Sequence, residues 1–211
     1  MNKKKLTVMV TSLALVGLIG VGASLAYFTD QDSATNIITM GHVDIDLTEP
    51  NYPGNDTEGK IENVKPGDEI VKDPTITVQQ GSENSYVRAK ITVEGLDEEH
   101  ANLLLAKNED GSYVYLNINT NDWLESDGYF YYVGDAGNGK DGVLKAGQSV
   151  ELFTTVTIPG LGWGNEMADK SFSILVSAEA IQAANFEPST NNGVYGWFEN
   201  GTSITPETYN K

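Results

Sequence analysis

Apolar and polar residues alternate in short runs along most of the chain, and turn signals cut one run from the next. In the clearest run Val43, Ile45 and Leu47 share one face, while His42, Asp44, Asp46 and Thr48 share the other. That period of two predicts a half-buried strand. Ile76 and Val78 point inward from a short strand over 75–78. Val87, Ala89, Ile91 and Val93 alternate with Arg88, Lys90 and Thr92, which predicts a strand with one solvated face. Further strands are predicted over 113–118 and 129–133. A long one carries Val150, Leu152, Thr154, Val156 and Ile158 on one face, and a last one carries Phe172, Ile174, Val176, Ala178 and Ala180. Residues 119–127 are polar apart from Trp123 and Leu124 and read as a connection. Loops are expected over 49–60, 134–142 and 159–164, where Gly, Pro and Asn gather. Pro66-Gly67 sets a type II turn over 64–68, and a faint echo of that stretch follows at 144–150. The one helical pattern, over 96–106, has Asp97 as its cap and Leu103, Leu104 and Leu105 to dock it. Eight or so strands with turns between them predict an all-β fold, a jelly-roll-like antiparallel β-sandwich with one short helix.

The first forty-eight residues break this pattern. Lys3, Lys4 and Lys5 precede an uncharged, mostly apolar run from Leu6 to Val21, followed by Gly22-Ala23-Ser24-Leu25-Ala26. A basic start, an apolar run and a small-x-small exit make a secretory signal peptide. Ser24 and Ala26 fit the two positions where the peptidase requires small side chains, which places the cut between Ala26 and Tyr27. An uncleaved anchor is the alternative, because the run approaches the roughly 20 residues that span a bilayer. The expected organisation is a cleaved signal peptide over 1–26, an N-terminal segment over 27–40, a β-sandwich domain over 41–184 and a tail over 185–211. On this reading the mature protein is secreted and carries no membrane segment.

Charge narrows the partners. The chain of 211 residues has 13 basic and 30 acidic side chains, a net charge of −17. Removing 1–26 takes away three lysines and no acid, leaving ten basic residues and a net charge of about −20. Nucleic acid and anionic membranes are unfavourable partners, since both demand Lys and Arg. Copies of the chain repel one another, so self-assembly has to rest on backbone pairing or apolar burial. There is no cysteine, so no disulfide supports the fold.

Little in the sequence points to catalysis. The two histidines, His42 and His100, stand outside any His-Glu-x-x-His, and no Gly-x-Ser-x-Gly is present. No catalytic residue, metal ligand or cofactor is predicted. Asp44 and Asp46 share a strand face, an arrangement that serves a glycosidase or calcium, or guards an edge strand against unwanted pairing. In the loop over 135–141, Gly137 stands where an EF-hand loop needs an oxygen ligand. The aromatic strands at Tyr113, Tyr115 and 129–132 suit either cross-strand packing or a carbohydrate-binding face. Tyr195, Trp197 and Phe198 form an aromatic island in the tail, to be packed onto the domain or onto a partner.

Several of these stretches together resemble one family. Ser24-Leu25-Ala26-Tyr27-Phe28-Thr29-Asp30, Ala34-Thr35-Asn36 and Gly41-His42-Val43-Asp44-Ile45-Asp46-Leu47 are similar to the start of the TasA/camelysin family, and Val64–Asp68, Tyr86-Val87-Arg88 and Ala178–Ala183 extend the likeness. These are secreted Gram-positive biofilm matrix proteins whose signal peptides are cut by a peptidase of the SipW kind. The resemblance implies a jelly-roll subunit that polymerises into extracellular fibres with copies of itself. It implies donor-strand complementation, in which the segment freed by cleavage adds as a strand to the next subunit. Tyr27, Phe28, Ile37 and Ile38 would be its apolar anchors; the alternative for this segment is a strand that completes its own domain. Some camelysins are described as metalloproteases, so a surface metalloprotease is one alternative, and a monomeric surface adhesin is another.

Overall fold

A computed structural model describes residues 42–206 apart from 58, 135–140, 161, 168–169 and 185. Two antiparallel sheets enclose the main core. The first holds β1 (Ile45–Thr48), β3 (Thr75–Val78) and β8 (Ser149–Glu151), in the order β1-β3-β8. The second runs β10 (Ser173–Gln182), β4 (Ser85–Glu94), β6 (Tyr129–Tyr132) and β5 (Trp123–Ser126), with β7 (Val143–Leu144) also on β4. Ile76 and Val78 of the first sheet meet Val87, Ala89 and Phe130 of the second in one cluster of buried side chains. Each fully buried aliphatic there contributes about 1.5–3 kcal/mol. The all-β sandwich with a single short helix is therefore as expected.

β2 (Glu69–Val71) pairs with β9 (Thr155–Thr157), and β3 pairs with β8 in the same register: Val71 opposes Thr155, and four residues on Thr75 opposes Glu151. These form one long ribbon interrupted at Asp73-Pro74, where proline has no N–H to give. The single strand expected over 150–158 is accordingly two, and at the break both Leu152 and Phe153 are buried. The ribbon begins at each end with the same turn. Asp68 N–H donates to Lys65 O at 3.0 Å, and Gln148 N–H donates to Lys145 O at 2.9 Å. Gly67 and Gly147 hold the positive-φ corners at +89° and +81°. The faint echo in the sequence is thus a pair of equivalent corners.

The helix α1 (Glu98–Leu104) is capped as expected, with Asp97 Oδ1 accepting from His100 N–H at 3.0 Å. Leu104 is fully buried in the core, with Leu103 and Leu105 packed beside it.

Three other expectations are corrected. Residues 113–118 form no strand; they make single bridges, Lys107 to Tyr113 and Leu116 to Val156. Residues 119–127 are not merely a connection, because they contain β5, which forms a hairpin with β6. Asp127 and Gly128 close that hairpin with φ of +50° and +76°, the two-residue turn that matches strand twist. Finally, Arg88 does not lie on a solvated face: it is 3% exposed. It is covered by the tail, which folds into two small hairpins, β11 (Ser189–Asn191) with β12 (Val194–Gly196), and β13 (Phe198–Glu199) with β14 (Thr202–Ser203).

Candidate assembly seam

The two long sides of the sandwich differ. On the side of β5 and β8, Trp123 Nε1–H donates to Glu151 O at 2.8 Å. Asn117 Oδ1 accepts from the N–H groups of Thr154 and Thr155, each at 2.8 Å, and its amide donates to Thr154 Oγ1 at 2.6 Å. Thr157 N–H reaches Tyr115 O at 2.8 Å. Residues 113–118 therefore act as a stitch that closes this side.

The other side is bounded by β1 and β10, which end their sheets and lie against each other without a shared hydrogen bond. Which main-chain groups lack a partner among the described residues follows from register. In antiparallel pairs the bonded and non-bonded positions alternate. Ala183 N–H bonds to Asn84 O, in register with the Ser173–Gln182 ladder on β4. Counting back by twos, Ile181, Glu179, Ser177 and Leu175 bond to β4. The N–H and C=O groups of Ile174, Val176, Ala178, Ala180 and Gln182 face the open edge. Likewise Gln79 N–H bonds to Asp44 O, so Ile45 and Leu47 of β1 turn their main-chain groups outward.

The residues with outward main chain are also those whose side chains enter the core. Ile45 and Leu47 on β1, and Ile174, Val176 and Ala178 on β10, are only half-buried, as are Ile91 and Val93 on β4. Ile76 and Val78 on β3, and Val87 and Ala89 earlier along β4, are by contrast covered to within 1%. Over about 33 Å of β10 at the usual rise, every second residue thus lacks an outer main-chain partner among the described residues and borders an incompletely covered apolar row. Such an edge is a template for strand addition. Asp44 and Asp46 sit on the exposed face of β1, where carboxylates at an edge discourage indiscriminate pairing.

Ser24, Ala26, Tyr27, Phe28, Ile37 and Ile38 lie outside the described residues, as does most of the loop over 135–141. Trp197 is 1% exposed, while Tyr195 and Phe198 are half-buried, so the aromatic island packs onto its own domain. Tyr129 and Tyr131 face this tail, whereas Phe130 and Tyr132 face the main core, so both faces of β6 are used for packing. From the sequence the acceptor is expected to be a groove between sheet edges, but which edges bound it is not legible there. A signal was present in the ten-residue alternation of β10, but nothing local says that one edge lacks a partner.

A family model described as camelysin metallo-endopeptidase matches residues 1–108. The chain belongs to the camelysin family. No curated protein matched it. The match spans the N-terminal segment, β1 to β4 and α1, and thus includes one wall of the seam.

The family description implies a metal, and the described residues do not suit one. His100 Nδ1 is 2.6 Å from Asp97 Oδ1, and its Nε2 lies 3.8 Å from Glu166 Oε1. Glu166 Oε1 in turn accepts Gly164 N–H at 2.6 Å. Those hydrogen bonds hold the Asp97 and Glu166 carboxyls below their ordinary range, chiefly through the backbone N–H groups of His100 at Asp97 and of Glu166 and Gly164 at Glu166. The arrangement ties the start of α1 to the turn at 164–167. Among the described residues no group of three His, Cys, Asp or Glu side chains is placed to hold a metal ion.

Proposed function

We propose that this camelysin-family protein is a secreted structural subunit that polymerises into extracellular matrix fibres, with the β1/β10 seam as the acceptor for a strand from another copy. The supporting observation is that, among the described residues, the same residues of β10 and β1 combine outward main chain that has no partner with half-covered apolar side chains. The donor is the segment beginning at Tyr27, freed when a SipW-type signal peptidase cuts after Ala26. Phe28, Ile37 and Ile38 supply apolar anchors, each contributing about 1.5–3 kcal/mol if fully buried. Backbone pairing is indifferent to net charge, so it holds copies of a polyanion together where side-chain charge opposes them. Cleavage is the assembly switch. The mature form acts outside the cell, without nucleic acid, membrane or cofactor, and without catalysis.

Electron microscopy tests this directly. The mature chain starting at Tyr27 forms fibres, and the same chain lacking residues 27–36 stays a folded monomer. Fibres from the shortened chain would remove the N-terminal segment as donor. The family description favours a second reading, a surface metallo-endopeptidase. That reading requires proteolysis that a chelator abolishes and that depends on His42 or His100.

A further inference from the structure

The segment 186–206 has a core of its own. Tyr131, Ile181, Trp197 and Ile204 are buried together, with Tyr86, Tyr129, Phe186 and Tyr195 around them, and none of these residues belongs to the main core. Its four short strands pair only with one another, and among the described residues no ladder joins them to either sheet. Isolated two-stranded hairpins of this size are marginal by themselves. Side chains therefore hold the segment on the outer face of the second sheet.

The central side chain is Arg88. Its guanidinium carbon lies 4.0 Å from the Tyr129 ring centre and 4.3 Å from that of Trp197, so one cation is held by an aromatic of the sheet and one of the tail. Nε and an Nη donate to Glu179 Oε2 at 2.8 and 2.5 Å, and the other Nη donates to Tyr131 Oη at 3.2 Å. Tyr195 and Trp197 stack edge-on to Tyr131 at 5.3 and 6.0 Å. A planar, permanently charged group suits this place, because it forks onto a carboxylate and stacks on rings at once. All its partners except Trp197 lie on the sheet. Lifting the tail removes one wall of the cage and lets water reach Arg88, whose partner Glu179 is already 35% exposed, and it leaves the main core untouched.

We propose that residues 186–206 form a strap that opens as a unit while the sandwich stays folded, and that Arg88 is its latch. Opening uncovers an aromatic face of Tyr86, Tyr129 and Tyr131 around a fixed cation. The strap is a releasable cover over that face.

Native-state hydrogen exchange on the full secreted chain tests the opening. The amides of Gly196 and Ile204 exchange together, at least about tenfold faster than those of Val87 and Ser177. Equal protection, lost only in global unfolding, would overturn the proposal. Arg88→Met speeds exchange in the strap about tenfold or more, and shifts tryptophan emission to the red as Trp197 meets water, while Val87 and Ser177 keep their protection. Arg88→Lys, which keeps the charge without the planar fork, falls between. If Arg88→Met lowers protection in both regions equally, Arg88 belongs to the global fold and is not a latch.

Discussion

Gly67 and Gly147 do the same work at the two ends of one ribbon, yet their surroundings differ. A side chain at Gly67 would meet nothing within 4 Å, whereas at Gly147 it would strike the Gln80 side-chain amide. Gly67→Ala therefore measures the left-handed backbone alone and lowers stability by about 1–2 kcal/mol. Gly147→Ala costs the same or more, according to how freely Gln80 swings aside, and chemical denaturation of both variants gives the comparison. Arg88 illustrates how residue identity can mislead. Its place in the alternation gives the correct face of β4, and charge then suggests solvent. Only the tail, distant in sequence, turns that face into an interior.

Among the elements, the closed side of the sandwich depends on single side chains. Trp123→Phe removes the donor to Glu151 O and part of a buried ring, at a cost of about 1–3 kcal/mol. Asn117→Ala removes the acceptor of two N–H groups, but Asn117 is exposed and water can replace it, so the loss is smaller. The ranking of the two unfolding midpoints checks this account of the closed side; the reverse order would contradict it. Several elements were legible in advance: β1, β3, β4, β10, the capped helix and the Pro-Gly turn all follow from local pattern. The hairpins at Asp127-Gly128, Asn192-Gly193 and Asn200-Gly201 carry the same written signal, an Asx-Gly pair with both φ positive. Short, polar flanking strands concealed it, since β11 and β14 have almost no apolar face to alternate. Residues 113–118 mislead in the opposite direction: strand-forming residues there serve as a stitch between sheets rather than as a rung in one.

At the scale of the whole molecule, the described residues close the sandwich on one side and leave it open on the other. The sequence shows the apolar start of the mature chain and the alternation of β10, but not that β10 ends its sheet, because edges are set by which strands pair across long stretches of chain. Assembly by strand addition, as proposed, would draw on two features of the described residues, the half-covered row along β1 and β10 and the outward main chain beside it, and would need no favourable charge between copies of a polyanion. The most direct test is residue-resolved hydrogen exchange of Ile174, Val176 and Ala178, comparing fibres of the mature chain with the monomer lacking residues 27–36. Strand addition at the seam predicts that these three amides are unprotected in the monomer and strongly protected in the fibre, while Ser177 and Glu179, already bonded to β4, change little. Fibres in which Ile174, Val176 and Ala178 exchange as fast as in the monomer would contradict it.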